Sequence, residues 1–323
     1  MKVSMLKRIA VLAAGFLVPL PSIGQSYPAK PIRLIIATAS STPVDIVSRY
    51  VADGMSKDLG QNIVVENRPG AGSMIGLQEL VRAPADGYTM GVVYMPVSIA
   101  PAIYRNFPVD LRRDLAPVSQ TAWSYNVLVV NPAVPAESLS DLVKLARSKP
   151  GSLSFMSGGA GSPAHVVGEL FKLEAGVQAM HVPYVQFPQG IADLLGGRVN
   201  FGFIASPPII PHVASGKLRA LAVTGPKRLA ALKDIPTVAE AGFPALEVRD
   251  WQGFVVRGGT SGEIVERLNR AVRTVLSAPG TTEALARFGA DPQTGTPEEL
   301  GKLLNSEMDR WARVAKAADI RTE

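Results

Sequence analysis

Short apolar runs alternate with segments of helical period along most of the chain, which predicts an α/β fold built on parallel strands. Residues 32–36 read as a buried strand, and the segment after them sets Val44, Val47, Val51 and Met55 on one helical face before stopping at Gly60. Strands at 63–66 and 88–93 follow, with a helix at 75–82 between them. A second series opens with a strand at 127–130 and continues with a helix at 139–148, a strand at 153–156 and a helix at 164–175. It closes with a helix at 189–195 and strands at 199–204 and 218–224. A third block holds a strand at 253–256 and helices at 263–277, 282–288 and 297–318. No fixed-period repeat interrupts this order. The two stretches most like crossovers between lobes are 122–130 and 250–256, each beside a tryptophan, Trp123 or Trp251. These two rings suit a hinge or an ordinary core equally well.

The first residues break the pattern. Lys2, Lys7 and Arg8 precede an uncharged run at 9–20, and Pro19, Pro21, Ser22, Gly24 and Ser26 follow. That order of charged, apolar and small residues is a secretory signal, with cleavage after Gly24 or Ser26. The run is too short to span a bilayer, which takes roughly 20 residues. Loss of residues 1–26 removes three bases and no acid, so the formal net charge falls from +6 to +3. So small a charge, with no basic run interleaved with aromatics, gives no reason to expect a nucleic-acid partner. The chain has no cysteine, which excludes disulfides, a thiol nucleophile and cysteine metal sites.

Two strand–loop–helix junctions carry the candidate chemistry. One runs through Ala-Thr-Ala-Ser-Ser-Thr (37–42) into Pro43, the other through Ser-Gly-Gly-Ala-Gly-Ser (157–162) into Pro163. Each puts a hydroxyl at the N-cap and proline at the first helical position. A helix N-terminus presents unpaired N–H groups to an anion, and in open α/β sheets ligands sit beyond the strand carboxyl ends. Thr42 and Asp45 also fit a capping box, so Asp45 either closes its own helix or serves the loop. Gly70, Gly72 and Gly76 miss the dinucleotide spacing by one position. His165 and Glu169 lie four apart on one helix without an evident third metal ligand. No nucleophile elbow, metalloprotease motif or phosphate loop occurs, so neither a catalytic site nor a cofactor is expected.

Several strings then resemble the Bug receptors, the periplasmic substrate-binding proteins of tripartite tricarboxylate transporters. They are Tyr-Pro-Ala-Lys-Pro-Ile-Arg (27–33), Glu-Asn-Arg-Pro-Gly-Ala-Gly (66–72), Ala-Asp-Gly-Tyr-Thr (85–89), Val-Asn-Pro (130–132) and Gly-Glu-Leu-Phe (168–171). His-Val-Pro-Tyr (181–184), Asp-Leu-Leu-Gly-Gly (193–197), Gly-Lys-Leu-Arg-Ala-Leu-Ala-Val-Thr (216–224) and Pro-Thr-Val-Ala-Glu-Ala-Gly (236–242) complete the set, in order along the chain.

The resemblance implies a type II periplasmic binding protein fold, two α/β lobes with a ligand cleft between them. Residues 27–124 with 250–323 would form lobe 1, and 125–249 lobe 2. It implies capture of a small carboxylate, without chemistry, for the membrane subunits of the transporter; a signalling receptor or an enzyme on the same scaffold are the alternatives. The periplasm is the implied compartment and a monomer the default state. Carried over by position, the ligand-binding candidates are Ala39, Ser40, Ser41, Thr42 and Asp45 in lobe 1. In lobe 2 they are Ser157, Gly158, Gly161, Ser162, His165, Tyr184, Ile204 and Ala205. Where the family commonly reads Pro-Phe-Ala-Pro-Gly-Gly-Gly-Thr-Asp, this chain has Ala-Thr-Ala-Ser-Ser-Thr-Pro-Val-Asp (37–45). The usual Lys-Gly after His-Val-Pro-Tyr is Val185-Gln186, and a frequent Asp-Asn is Ile204-Ala205. These losses of polar character predict a cleft more apolar than usual, suited to a monoacid or aromatic acid rather than a tricarboxylate.

Overall fold

The computed structural model describes residues 27–184 and 186–321. The proposed signal at 1–26, and Val185, lie outside the described residues. The first series runs β1 (Ile32–Ile36), α1 (Pro43–Leu59), β2 (Ile63–Asn67), α2 (Met74–Arg82), β3 (Thr89–Tyr94), α3 (Met95–Ile103) and β4 (Leu115–Ser124). The second is β5 (Asn126–Val130), α4 (Leu139–Ser148), β6 (Ser154–Ser157), α5 (Pro163–Ala175), β7 (Met180–Pro183), α6 (Phe187–Leu195), β8 (Phe201–Ala205), α7 (Ser206–Ala214) and β9 (Arg219–Val223). The chain then returns through β10 (Asp250–Arg257), α8 (Gly262–Leu276), α9 (Thr281–Ala286), β11 (Ala290–Pro292) and α10 (Pro297–Ala317).

Two sheets result, ordered β11-β4-β10-β3-β1-β2 and β7-β6-β8-β5-β9. Both are mixed, not parallel as the alternation suggested. β10 lies antiparallel to β3 and β4, and β5 antiparallel to β8 and β9. The physical reason is the connectivity. Strands joined by a crossover helix within one sheet run parallel, whereas β5 and β10 receive the chain from the other sheet and enter from the opposite end.

Each sheet is covered on both faces. On the first, α1 and α8 bury Val47, Val51, Met55, Leu268 and Val272 against Ile32, Leu34 and Ile36. The pattern that forms α1 is complete: Thr42 Oγ1 accepts from Asp45 N, Pro43 starts the helix and Gly60 ends it. On the other face lies a cluster that includes Leu77, Leu80 and Val97 and extends unbroken to Phe155, Phe171 and Phe201 of the second sheet. α10 bridges the two through Leu300, Leu304 and Trp311. Trp311 has no exposed surface. Each such side chain stabilises by roughly 1.5–3 kcal/mol on burial.

The crossings are short. Tyr125 alone separates β4 from β5, and residues 247–249 lead the return into β10, a few positions before the expected 250–256. The two strands meet in register there, Asp250 opposite Ser124 and Trp251 opposite Trp123.

Candidate ligand-binding cleft

The carboxyl ends of β1, β3, β6, β7 and β8 feed directly into α1, α3, α5, α6 and α7. Five helix N-termini therefore converge between the sheets, and Pro43, Pro96, Pro163 and Pro207 from four of their first turns line one cavity of about 390 Å³, as does Phe187 from the fifth. That volume suits a small organic molecule. The amino ends of the antiparallel strands β5, β10 and β11 reach the floor and supply Asn126, Asp250, Trp251 and Ala290, and the carboxyl end of β4 supplies Ser124. A second chamber of about 310 Å³ adjoins it, sharing Thr38, Tyr94, Pro96 and Ser162. A wider depression of about 1260 Å³ lies between α3 and the end of α10, away from these helix starts, and is not the cleft.

The first-turn amides explain what the cavity can hold. Away from it, Ser138, Ser261 and Thr296 cap α4, α8 and α10 through their side chains. At the cavity, α3, α5, α6 and α7 have no side-chain cap. Ser162 stands at the N-cap position of α5, yet its Oγ donates backwards to Gly159 O at 2.7 Å. Proline removes one N–H from the first turns of α3, α5 and α6 and two from that of α7, so an anion is met by the first-turn amides that remain, chiefly those of α3 and α5, and by the positive ends of the helix dipoles. Among the described residues, no Lys, Arg or His lines either chamber. The walls are apolar: Val44, Val47, Met95, Trp123, Phe187 and Phe203.

Of the residues singled out from the sequence, Thr42, Gly158, Ser162 and Ala205 line the main chamber, and Gly161 with Ser162 the second. Ala39, Ser40 and Ser41 are exposed on the loop outside both. Asp45 is 2% exposed and closes its own turn, accepting from Ser41 N at 2.9 Å, from Arg49 and from Asn67 Nδ2. Those contacts hold its carboxyl below the usual range against the opposing effect of burial. Ile204 is fully buried in the core behind β8. Tyr184 packs on that same core and donates to Asp193.

Ser157 and His165 lie beneath the glycine loop. Ser157 Oγ is 2.5 Å from His181 Nε2, and the His181 ring stacks on His165 with centroids 4.0 Å apart. Gly161 N donates to His165 Nδ1 at 3.1 Å, fixing the loop from below. Burial, joined by nearby positive charge, pushes His165 down to about 3 and His181 to about 4, so both rings are neutral. Glu169 pairs instead with Lys172 at 2.7 Å.

Two glycines bring the lobes into contact. A Cβ on Gly161, at φ +76°, would stand 2.4 Å from Ile103 Cδ1 of α3. A Cβ on Gly289, at φ +69°, would stand 2.5 Å from Pro207 Cγ of α7. At each of these two points backbone lies close against a side chain from the other sheet's side of the cavity.

Sequence reading missed the floor. Asp250, Gln252, Asn126 and Phe288 sit in no motif; Trp123 and Trp251 were visible as paired aromatics at the crossovers, and that pairing was the available signal.

The model of the tripartite tricarboxylate transporter family receptor matches residues 47–320. The chain belongs to this family. It is 33% identical over 310 residues to BugT of Bordetella pertussis, spanning 95% of this chain and 94% of BugT. An R. palustris protein solved with adipate matches it with a TM-score of 0.79 at 33% identity, over 91% of this chain and 99% of that one. The periplasmic binding protein BugD matches with a TM-score of 0.76 at 28% identity, over 92% and 100% of the two chains. The two-lobed α/β architecture expected of the receptor is the one observed, and the matched family is one of transporter receptors.

Proposed function

We propose that this receptor captures a small carboxylate in the cavity between its sheets, in the periplasm, and delivers it to the membrane subunits of a tripartite transporter. Lobe 1 comprises residues 27–124 and 250–323, and lobe 2 residues 125–249. What carries the reading is the convergence of helix starts without side-chain caps on one cavity that, among the described residues, no basic side chain lines. The ligand's negative charge is met by backbone amides and dipoles, with Thr42 and Ser162 at the rim. Its body lies against Trp123, Phe187 and Phe203, which favours a monoacid with an apolar or aromatic body over a tricarboxylate. The relative solved with adipate supports the carboxylate class. Closure is a rotation of the lobes, stabilised by a ligand that touches both.

A thermal-shift screen of residues 27–323 tests this, using aliphatic, aromatic and branched acids, dicarboxylates and citrate, with neutral amides and sugars as controls. A ligand at about 100 times its Kd raises stability by roughly 2.7 kcal/mol. Stabilisation by a class of acids alone is the expected result. A shift from neutral compounds and from no acid would sink the reading.

A further inference from the structure

The cavity holds one acid and no base. Asp250 begins β10 at the floor, where the return crossing enters the first sheet. Its Oδ2 accepts from Asn126 Nδ2 of β5 at 3.0 Å, while Oδ1 is inaccessible and has no partner. Neighbouring elements bring no cation to it. β4 and β11 present Ser124 and Ala290, and Glu307 on α10 is a like charge, itself bonded to Trp311 Nε1. Arg249, the preceding residue, is taken by Glu247 at 2.7 Å and lies over the Trp123 ring. A carboxylate so placed is costly to keep and contributes no ion pair to the fold.

We infer that Asp250 makes the cleft favour ligands with a single carboxylate group, by holding like charge at the floor against any second carboxylate that reaches it. The inference rests on the receptor reading above and names the residue that sets its specificity. With one carboxylate at a helix start, a second that extends to the floor meets Asp250, and among the described residues no basic group lines either chamber to offset the pair. While Asp250 is ionised, such repulsion at close range lowers affinity by about tenfold or more. Burial raises the Asp250 carboxyl to about 7; the Asn126 hydrogen bond opposes the rise and Glu307 adds to it. Protonation therefore removes the repulsion just below neutrality.

The test compares matched acids, hexanoate with adipate and benzoate with terephthalate, by calorimetry on the wild type and Asp250→Asn at about pH 8.2 and pH 6.2. Both acids of each pair keep most of their charge over that range. In the variant, the amide carbonyl can still accept from Asn126, which leaves the NH2 where Oδ1 stood. In the wild type at the higher pH, the monoacid should bind at least about tenfold more tightly than its diacid, and the gap should close at the lower pH. In Asp250→Asn the gap should be absent at both. The wild-type pH series decides the matter even if the variant does not fold. A diacid that matches or exceeds its monoacid in the wild type at the higher pH overturns the inference while leaving the receptor intact. So does a ratio unchanged in a natively folded variant. If no acid binds at either pH, the carboxylate receptor itself falls, and this inference with it.

Discussion

Gly161→Ala separates a cost borne by the fold from a cost borne by closure. Gly161 has φ +76°, and an alanine there would pay about 1–2 kcal/mol for a left-handed backbone whether the lobes are open or closed. The added Cβ would also stand 2.4 Å from Ile103 Cδ1, where carbon atoms rest at about 3.5–4.0 Å, so the two must part by more than about 1 Å. That clash exists only when lobe 2 approaches α3, and overpacking of this kind costs about 1–3 kcal/mol. Ligand affinity should therefore fall about five- to hundredfold. Ile103→Val removes the offending methyl. The next Ile103 atom is 3.9 Å away, so the double variant should regain affinity while keeping the lowered Tm. Calorimetric titration with the acid found by the screen, run alongside melting, reads both quantities. Equal affinity losses in the single and double variants would refute the closure argument, as would a single variant that binds like the wild type.

Other perturbations divide along the same line. Ser138→Ala removes the cap that accepts from Asp141 N and should cost about 0.5–2 kcal/mol in denaturant melts, with unchanged ligand binding. Ser162→Ala deletes no helix cap; it should leave stability nearly unaltered and weaken ligand binding, because Ser162 ties the glycine loop to Gly159 O. Asn269→Ala frees the carbonyls of Val118 and Gly295, each bound at 2.8 Å, and should destabilise by about 1–3 kcal/mol without touching the cleft. Acid should destabilise the fold through His165 and His181. Their folded values, about 3 and about 4, lie below the unfolded 6.5, so the unfolded chain binds more protons in between. Their contribution is complete above about pH 6.5 and declines as pH falls through that window; an acid limb unchanged in His165→Gln would contradict this.

Much of the fold was legible because packing followed pattern. α4 lies at 139–148 as read, and Gly60 ends α1 as read. The gaps have physical causes. β4 is a long strand, but it contains Pro117, and Ser119, Gln120 and Thr121 are buried polar residues hydrogen-bonded within the core. Local polarity there reports loop while tertiary bonding makes strand. α3 and α7 carry two and three prolines, which read as breakers. Most of these prolines sit in the first turn, where no amide is needed, and that turn faces the cleft. Each of the two junction loops supplies residues to the cavity wall, Thr42 from one and Gly158 with Ser162 from the other. The loop strings could not place the floor, since Asp250 and Asn126 meet across 124 positions of sequence, where no local spacing relates them.

The one-residue passage from β4 to β5 has a mechanical consequence. Tyr125 is 5% exposed and packs in the core of the second sheet, with Gly225 close against its ring. A joint this short, anchored on both sides by strands, permits rotation but neither sliding nor stretching. In the proposed receptor, closure would then be a turning of the lobes about this joint, as of jaws on an axle. Closing such a device orders no linker, so little of the ligand's contact energy is spent on restraining chain. The binding strength is left to be set by the fit of the jaws themselves.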